Sequence, residues 1–433
     1  MGAGMQDDGA VRNDTDDNET AGHGRATGGR AAPVRMCLVL LCGILLVAFG
    51  GNLRAVAAAF SQKTTNAGSA FGAAVNFTAG GLYGWGDNTT GQIGLGNTTS
   101  PRTSPLQVGS VTTWTSAATS NQPADDAATG HTCALRTDDT LWCWGSNNQG
   151  QLGRGNNTNT SSPVQIAGAW TQIATGGYHS CGVKTAGSLW CWGQNDFGQL
   201  GQNNYTAYNT PQQVGVATNW TDIGAANVQT CGIRGGAVYC WGEGINYKLG
   251  NSNTANQDLP ITTSSNTTHT HITLGRQHAC ARRSGGTLYC WGLSDSGQLG
   301  RGNYTTAQTP AQVGALTTWT YIAAGRDHTC GLKTGTLWCW GLNDTYELGL
   351  GSTGDQTSPN QVGSATDWAK VTPGNEFTCA NRTNRDIYCW GDNPYGQLGQ
   401  GDTGDETTPK LVPSRTGTVY AGGSGSHTTF AIG

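Results

Sequence analysis

After residue 60, apolar side chains come in short bursts of β-branched and aromatic residues punctuated by Gly, Pro, Asn and Thr, and no stretch of 10 to 12 residues carries a helical period. Such bursts read as short strands. The most regular of them end in Trp-Gly, at Trp85, Trp144, Trp192, Trp241, Trp291, Trp340 and Trp390, with intervals of 59, 48, 49, 50, 49 and 50. Seven copies at a near-constant period are one repeat architecture, and each unit has room for about four short antiparallel strands. One small sheet cannot bury both of its faces, so the units must stack, and closing them into a ring protects the edges that an open stack would expose. The pattern predicts an all-β, seven-bladed β-propeller over residues 60 to 433. The C-terminal stretch "VYAGGSGSHTTFAIG", 419 to 433, repeats the first half of a unit without a following Trp-Gly, so it is expected to close the ring on the first blade. Residues 66 to 86 can also be aligned as a complete first half, which leaves eight candidates for seven places.

Two zones precede the repeats. Residues 1 to 35 are polar and lack the side chains for a core, which predicts a disordered leader. Residues 36 to 50, "MCLVLLCGILLVAFG", are uniformly apolar and follow Arg25, Arg30 and Arg35. Fifteen residues are short for a spanning helix, and Ala57 and Ala59 suit a cleavage site, so residues 36 to 59 read as a signal peptide or as an uncleaved signal anchor. Either places the rest of the chain outside the cytoplasm, secreted or at the cell surface, with membrane contact only through the N-terminal segment if it is retained.

The remaining cysteines fall into six couples: Cys133 with Cys143, Cys181 with Cys191, Cys231 with Cys240, Cys280 with Cys290, Cys330 with Cys339, and Cys379 with Cys389. Spacing of nine centres on Thr334-Gly335 and Gly235-Gly236, pairs suited to two-residue hairpin turns; spacing of ten centres on three-residue loops. Counting outward from Thr334-Gly335 sets Cys330 opposite Cys339, near enough for a disulfide. Six disulfides, one inside each of six blades, are predicted. In the first unit Gly84 stands where the second cysteine would be, and the upstream "FGAAV" lacks one too. A zinc site from the thiols and a nearby His is the weaker alternative, since facing thiols in an exported chain oxidise.

The formal charge is −4, and the six lysines after residue 60 are scattered singly, which argues against a nucleic-acid footprint. The tail after Trp-Gly fits W-G-x-N-x-x-G-Q-L-G-x-G, as in "WGSNNQGQLGRG" at 144 to 155 and "WGDNPYGQLGQG" at 390 to 401. This resembles the regulator of chromosome condensation repeat, and the resemblance implies a seven-bladed propeller. The fourth copy, "WGEGINYKLGNS", and the sixth, with Tyr346-Glu347 for Gly-Gln, depart from it. The family's founder is a nuclear exchange factor for a small GTPase; an export leader and paired cysteines argue against carrying that activity over. Leu152, Leu200, Leu299 and Leu398 read as turn anchors in the core.

His131, His179, His278 and His328 precede the first cysteine of their blades by two residues, and His427 is read as the matching residue of the last segment; such recurrence points to a structural hydrogen bond. Trp114, Trp170, Trp220, Trp319 and Trp368 likewise read as packing, with stacking on a sugar or a partner as the alternative. No catalytic motif occurs, so no enzyme, cofactor or metal site is expected. Eleven Asn-x-Ser/Thr triplets after residue 60 are candidate glycan acceptors. The longest excursion between repeats contains Asn121, Gln122, Pro123, Asp125 and Asp126, a candidate partner loop, since loops on a rigid scaffold carry recognition. The expectation is a monomeric binding propeller that takes a protein or glycan ligand through the loops of one face; guanine-nucleotide exchange on a small GTPase is the alternative.

Overall fold

The computed structural model describes residues 77–120, 130–421 and 426–433; the leader, the apolar run and the segment 66–76 lie outside them. The described strands form seven four-stranded antiparallel sheets. Six of these use consecutive strands, as in Trp114–Thr119, His131–Arg136, Leu141–Gly145 and Thr160–Ile166. The seventh is composite: its order is Arg102–Gln107, Leu82–Gly86, Thr428–Ile432 and Thr418–Ala421, so both ends of the chain build one blade. The C-terminal segment therefore supplies the two closing strands. Among the described residues the helical content is a single 3-10 turn, Ile245–Tyr247.

The first strand of each blade packs against the first strands of both neighbours, around the whole circle. Its second residue is bulged out of register in six blades, for example between Trp114 and Ser116. The bulge lets the leading Trp turn into the core at 1–4% exposure in Trp114, Trp170, Trp220, Trp319 and Trp368. These indoles are packing groups, edge-on to the Trp of the Trp-Gly pair in several blades, at centroid distances of 5.6 Å for Trp170 with Trp192 and 6.0 Å for Trp114 with Trp144.

The seams between blades explain the repeat motif. Its Asn clamps its own loop: Asn147 Oδ1 accepts from the Leu152 amide at 2.9 Å, and its Nδ2 donates to the carbonyls of Asn156 and Thr158. That clamp directs the Gln151 carbonyl at the next blade, where it accepts from Trp192 Nε1 at 2.8 Å and from the Ser180 hydroxyl at 2.9 Å. All seven Trp-Gly indoles make this bond at 2.8–3.0 Å, and Trp85 to the Gln397 carbonyl closes the circle. The next residue but one after that carbonyl must be glycine. At Gly153, φ is +74°, and a Cβ would lie 2.8 Å from Trp192 Nε1. Leu152, Leu200, Leu299 and Leu398 are fully buried in these seams.

The six cysteine couples lie directly opposite each other on the second and third strands and are joined as disulfides, with Cα separations of 4.0–4.1 Å. That separation lies a little under the roughly 4.5 Å of the closely spaced, non-hydrogen-bonded cross-strand pair. Thr334 and Gly335 both have positive φ, +47° and +81°, as a two-residue hairpin turn requires. In the composite blade the partner of Gly84 is Phe430, not the upstream "FGAAV". A Cβ on Gly84 would lie 2.8 Å from the Phe430 ring, so the phenyl group takes the space a disulfide occupies elsewhere.

Each disulfide closes a loop of about ten residues, for which chain entropy gives roughly 2–3 kcal/mol. Replacing Cys330 and Cys339 together by Ala is expected to lower the unfolding free energy by about that amount in a denaturant titration while the circular dichroism spectrum stays that of the parent. A loss well under 1 kcal/mol, or a change of fold, would contradict this role.

Candidate functional site

The second strand of six blades begins with a buried residue aimed at the seam, and the turn before it opens onto one face of the ring. His131, His179, His278 and His328 are fully buried. Nε2 of each lies 2.8–2.9 Å from the Ser or Thr hydroxyl of the following blade. That hydroxyl donates its own hydrogen to the seam carbonyl, so the imidazole is the donor and Nε2 carries its hydrogen. Burial pushes these histidines down to about 3 or 4, and they stay neutral. They are structural. The residue matching them in the closing segment is Thr428, paired with Gly86 as His131 is with Gly145; His427 stands one residue earlier, in the turn itself. Counting back from Phe430, the true counterpart of the cysteine, corrects the alignment.

The turns themselves are tightly tethered. Gly275, Gly325 and Gly374 each donate to the carbonyl three residues on, and a Cβ at Gly325 would meet His328 Cε1 at 2.4 Å. The backbone also runs from turn to turn: Arg276 N donates to the Arg326 carbonyl at 2.9 Å, Arg326 N to the Gly374 carbonyl at 3.1 Å, and Asn375 N to the Ser426 carbonyl at 3.1 Å. On this fixed rim the side chains vary from blade to blade apart from the shared Arg276 and Arg326. Arg326 Nη1 pairs with Glu376 Oε1 at 2.8 Å, and Arg276 and Arg326 both approach Asp327 Oδ2, at 3.3 and 3.2 Å. Asn375 is 2.8 Å from His427 Nε2, and His427 lies against the Tyr395 ring at 4.8 Å. The charged network thus spans the turns of consecutive blades.

Ligand atoms of Glu376, Asp392 and His427 lie within 4.8 Å of one another, a donor set of the kind a divalent cation takes, although Glu376 already has Arg326 and His427 has Asn375. Burial, with Asp405 and Glu376 nearby, pushes Asp392 up to about 7, and burial takes His427 down to about 4. The cysteines of the six couples, being bonded to each other, leave no thiolates for zinc among the described residues. Asn121, Gln122, Pro123, Asp125 and Asp126 lie outside the described residues. Their described flanks, Ser120 and Gly130, join the end of the first strand at Thr119 to the start of the second at His131, the same connection that carries the charged turns in other blades. Sequence reasoning missed the turn residues. They occupy the two columns just before the buried first residue of the second strand, where the copies differ apart from the shared Arg276 and Arg326, and comparing columns for such variation is the signal that points to them.

The opposite edge carries one cation per blade at the end of six second strands, each over an aromatic ring of the third strand. Arg136 is 3.8 Å from the Trp142 centroid, Lys184 3.6 Å from Trp190, and Arg283 3.9 Å from Tyr289. Lysines and arginines that are scattered along the chain are therefore equivalent in the ring, and their linear spacing does not decide the charge of a face. Three of the eleven glycan triplets are buried at their Asn, namely Asn88, Asn343 and Asn381, which removes them as acceptors.

An RCC1-like domain matches residues 51–330, and the regulator of chromosome condensation (RCC1) repeat matches 334–380 and 386–432. The chain belongs to the RCC1 repeat family. Prp20p of Saccharomyces cerevisiae, whose crystal structure was described with its binding to Gsp1p and histones, shares the fold at 21% identity and TM-score 0.70, over 81% of this chain and 90% of that one. Human WBSCR16 does so at 18% identity and TM-score 0.70, over 81% and 99%. Yeast RCC1 (Prp20) bound to Kap60 does so at 20% identity and TM-score 0.69, over 88% and 96%.

Against the RCC1 repeat, the two divergent copies keep the seam and change the side chain. In the fourth, Lys248 stands for Gln; its carbonyl accepts from Trp291 Nε1 at 3.0 Å, and its buried ammonium pairs with Glu243. In the sixth, the Glu347 carbonyl accepts from Trp390 Nε1 at 3.0 Å, while its carboxyl is buried with Oε1 unpaired. Burial pushes that carboxyl up from 4.5 to about 7, against the Thr345 hydrogen bonds that favour the charged form. A carboxyl with a raised folded-state pKa binds its proton more tightly when folded, so its stability contribution is lost as pH rises from about 4.5 through about 7. Glu347→Gln restores the family residue and is expected to remove that loss, making the protein more stable at pH 8 by on the order of 2 kcal/mol, with little change at pH 4.5. Denaturant titrations at both pH values measure it, and parallel pH profiles would count against the assignment.

Proposed function

We propose that this RCC1-repeat propeller is a non-catalytic binding protein of an oxidising compartment, secreted or held at the cell surface, that engages a protein partner through the face bearing the turns before the second strands. One observation carries the reading: the charged groups Arg276, Arg326, Asp327 and Glu376 stand together on a rigid backbone rim, in the connections between first and second strands, and it is this connection that is longest in the blade whose sequence contains Asn121 to Asp126. The rest of the repeat is spent on seams and disulfides. Six intrablade disulfides support an oxidising environment, and the apolar run at 36–50 supplies an export signal. The stacking of the opposite cations on aromatic rings favours a packing role for them over nucleic-acid contact. A peptide or protein surface with both charge signs matches the paired rim better than a glycan, which would call for exposed aromatic platforms.

The full chain, displayed or secreted by its own leader, is the bait for capture from medium or cell surface. Arg326→Gln and removal of residues 121 to 126 are each expected to weaken the recovered partner at least tenfold, the excision with melting temperature unchanged and Arg326→Gln with a lower one, because Asp327 and Glu376 lose their cation. The excision starts after Ser120, because Ala117 to Thr119 pair with the second strand. Retained binding in both variants would remove this face from the reading. Guanine-nucleotide exchange is the second reading, favoured by the fold shared with Prp20p, whose binding to Gsp1p was described with its structure. Release of labelled GDP from a small nuclear GTPase, together with nuclear residence of a tagged chain, would support exchange and defeat the export reading.

A further inference from the structure

The first strands enclose a central channel with a cavity of about 220 Å3. Its wall mixes small aliphatic side chains, such as Ala118, Ala174, Ile223 and Leu274, with the hydroxyls of Thr119, Thr175 and Thr273, more of its exposed surface is polar than apolar, and Lys370 is the one charged residue lining it among the described residues. In the six blades with a first-strand bulge, the residue just after it forms a polar belt at a shared register: Ser116, Gln172, Asp222, His271, Tyr321 and Lys370. Three of these are internally satisfied. Gln172 Nε2 donates to the Thr221 carbonyl at 2.6 Å. Asp222 Oδ2 accepts from the Ile272 amide at 2.8 Å and faces His271 Nδ1 at 2.9 Å, while His271 Nε2 donates to the Ile322 carbonyl at 3.1 Å.

The belt's carboxylate is therefore engaged, and its cation has no counterion. Lys370 Nζ sits 3.3 Å from the centroid of Tyr420, whose hydroxyl is spent on the Thr115 carbonyl at 2.9 Å. Among the described residues nothing accepts a hydrogen bond from Lys370, and the Tyr321 hydroxyl has no partner either. Burial brings Lys370 down to about 7 and holds the phenols of Tyr321 and Tyr420 above their usual range, so they stay neutral.

We propose that the channel binds a small aliphatic carboxylate, with its oxygens on the Lys370 ammonium and the Tyr321 hydroxyl and its short tail against the alanine and isoleucine wall. An anion relieves the uncompensated ammonium; a cation would meet one. The cavity's size limits the guest to a few heavy atoms, and the alanine, isoleucine and leucine side chains within its mixed wall offer contacts to a short carbon tail that a bare inorganic ion cannot use. Only the ammonium form pairs, so binding takes up a proton as pH approaches and passes the Lys370 value. Tyr321, Tyr420, Asp222 and His271 are the titratable groups facing the belt, and neither phenol charges in that range.

Isothermal titration of the full chain with butyrate tests this. One site is expected at pH 6.5, weakened at least tenfold by Lys370→Met and severalfold by Tyr321→Phe. Affinity should fall about tenfold per pH unit above pH 8, and butyramide should not bind. A measurement that needs no variant is reductive methylation of Lys370 in the wild-type chain by formaldehyde and a borane, read by peptide mass spectrometry; butyrate should protect it. Butyramide binding as well as butyrate, chloride displacing butyrate at equal concentration, Lys370→Met folded with unchanged affinity, or absence of both heat and protection would each overturn the proposal.

Discussion

Everything in this molecule hangs on a backbone carbonyl that each blade offers to the next. It belongs to the residue before the Leu of the Gly-Gln-Leu-Gly turn, and it accepts a buried indole N–H at all seven seams and a hydroxyl at six of them. In a dry seam an indole nitrogen without an acceptor is costly, and the carbonyl supplies one without recruiting a side chain. The side chain at that position is then free to vary so long as its own polar end is handled. Lys248 shows this with Glu243 as its partner, whereas Glu347 keeps an unpaired oxygen.

This division of labour separates cohesion from recognition. Seam bonds and buried Trp and Leu hold blade to blade, and disulfides hold the middle strands within six blades. In the composite blade the Phe430 ring fills the equivalent volume. With the scaffold closed by backbone and core, the turns that open onto one face can carry Arg276, Arg326, Asp327 and Glu376 without affecting the assembly. The belt around the channel has the same freedom: a first-strand position that only needs to sit beside its neighbour holds Gln, Asp, His, Tyr and Lys in successive blades.

Much of this was legible in order. The Trp-Gly period predicts seven blades, the cysteine spacing with Thr334-Gly335 predicts facing thiols, and the orphan half-repeat at 419 to 433 predicts the closure, because each is a local rule of turn and strand geometry repeated many times. The reading of His427 went astray by one residue because the closing segment has Phe430 in place of a cysteine, so the landmark used for counting was missing. The charged rim and the belt escaped for a different reason: comparing repeat columns marks their members as variable, but they lie about 50 residues apart, and only ring closure makes them neighbours.

Repetition along the chain determined the architecture, the covalent cross-links and the structural status of the buried Trp and His, since those depend on contacts within a blade or between adjacent copies of one motif. The tertiary structure decided what repetition cannot encode. It brought Asp222 to His271 and left Lys370 without a counterion, and it gathered the odd residues of consecutive turns on one face. Charges interact through space and at short range, so their consequences appear only once the circle is closed.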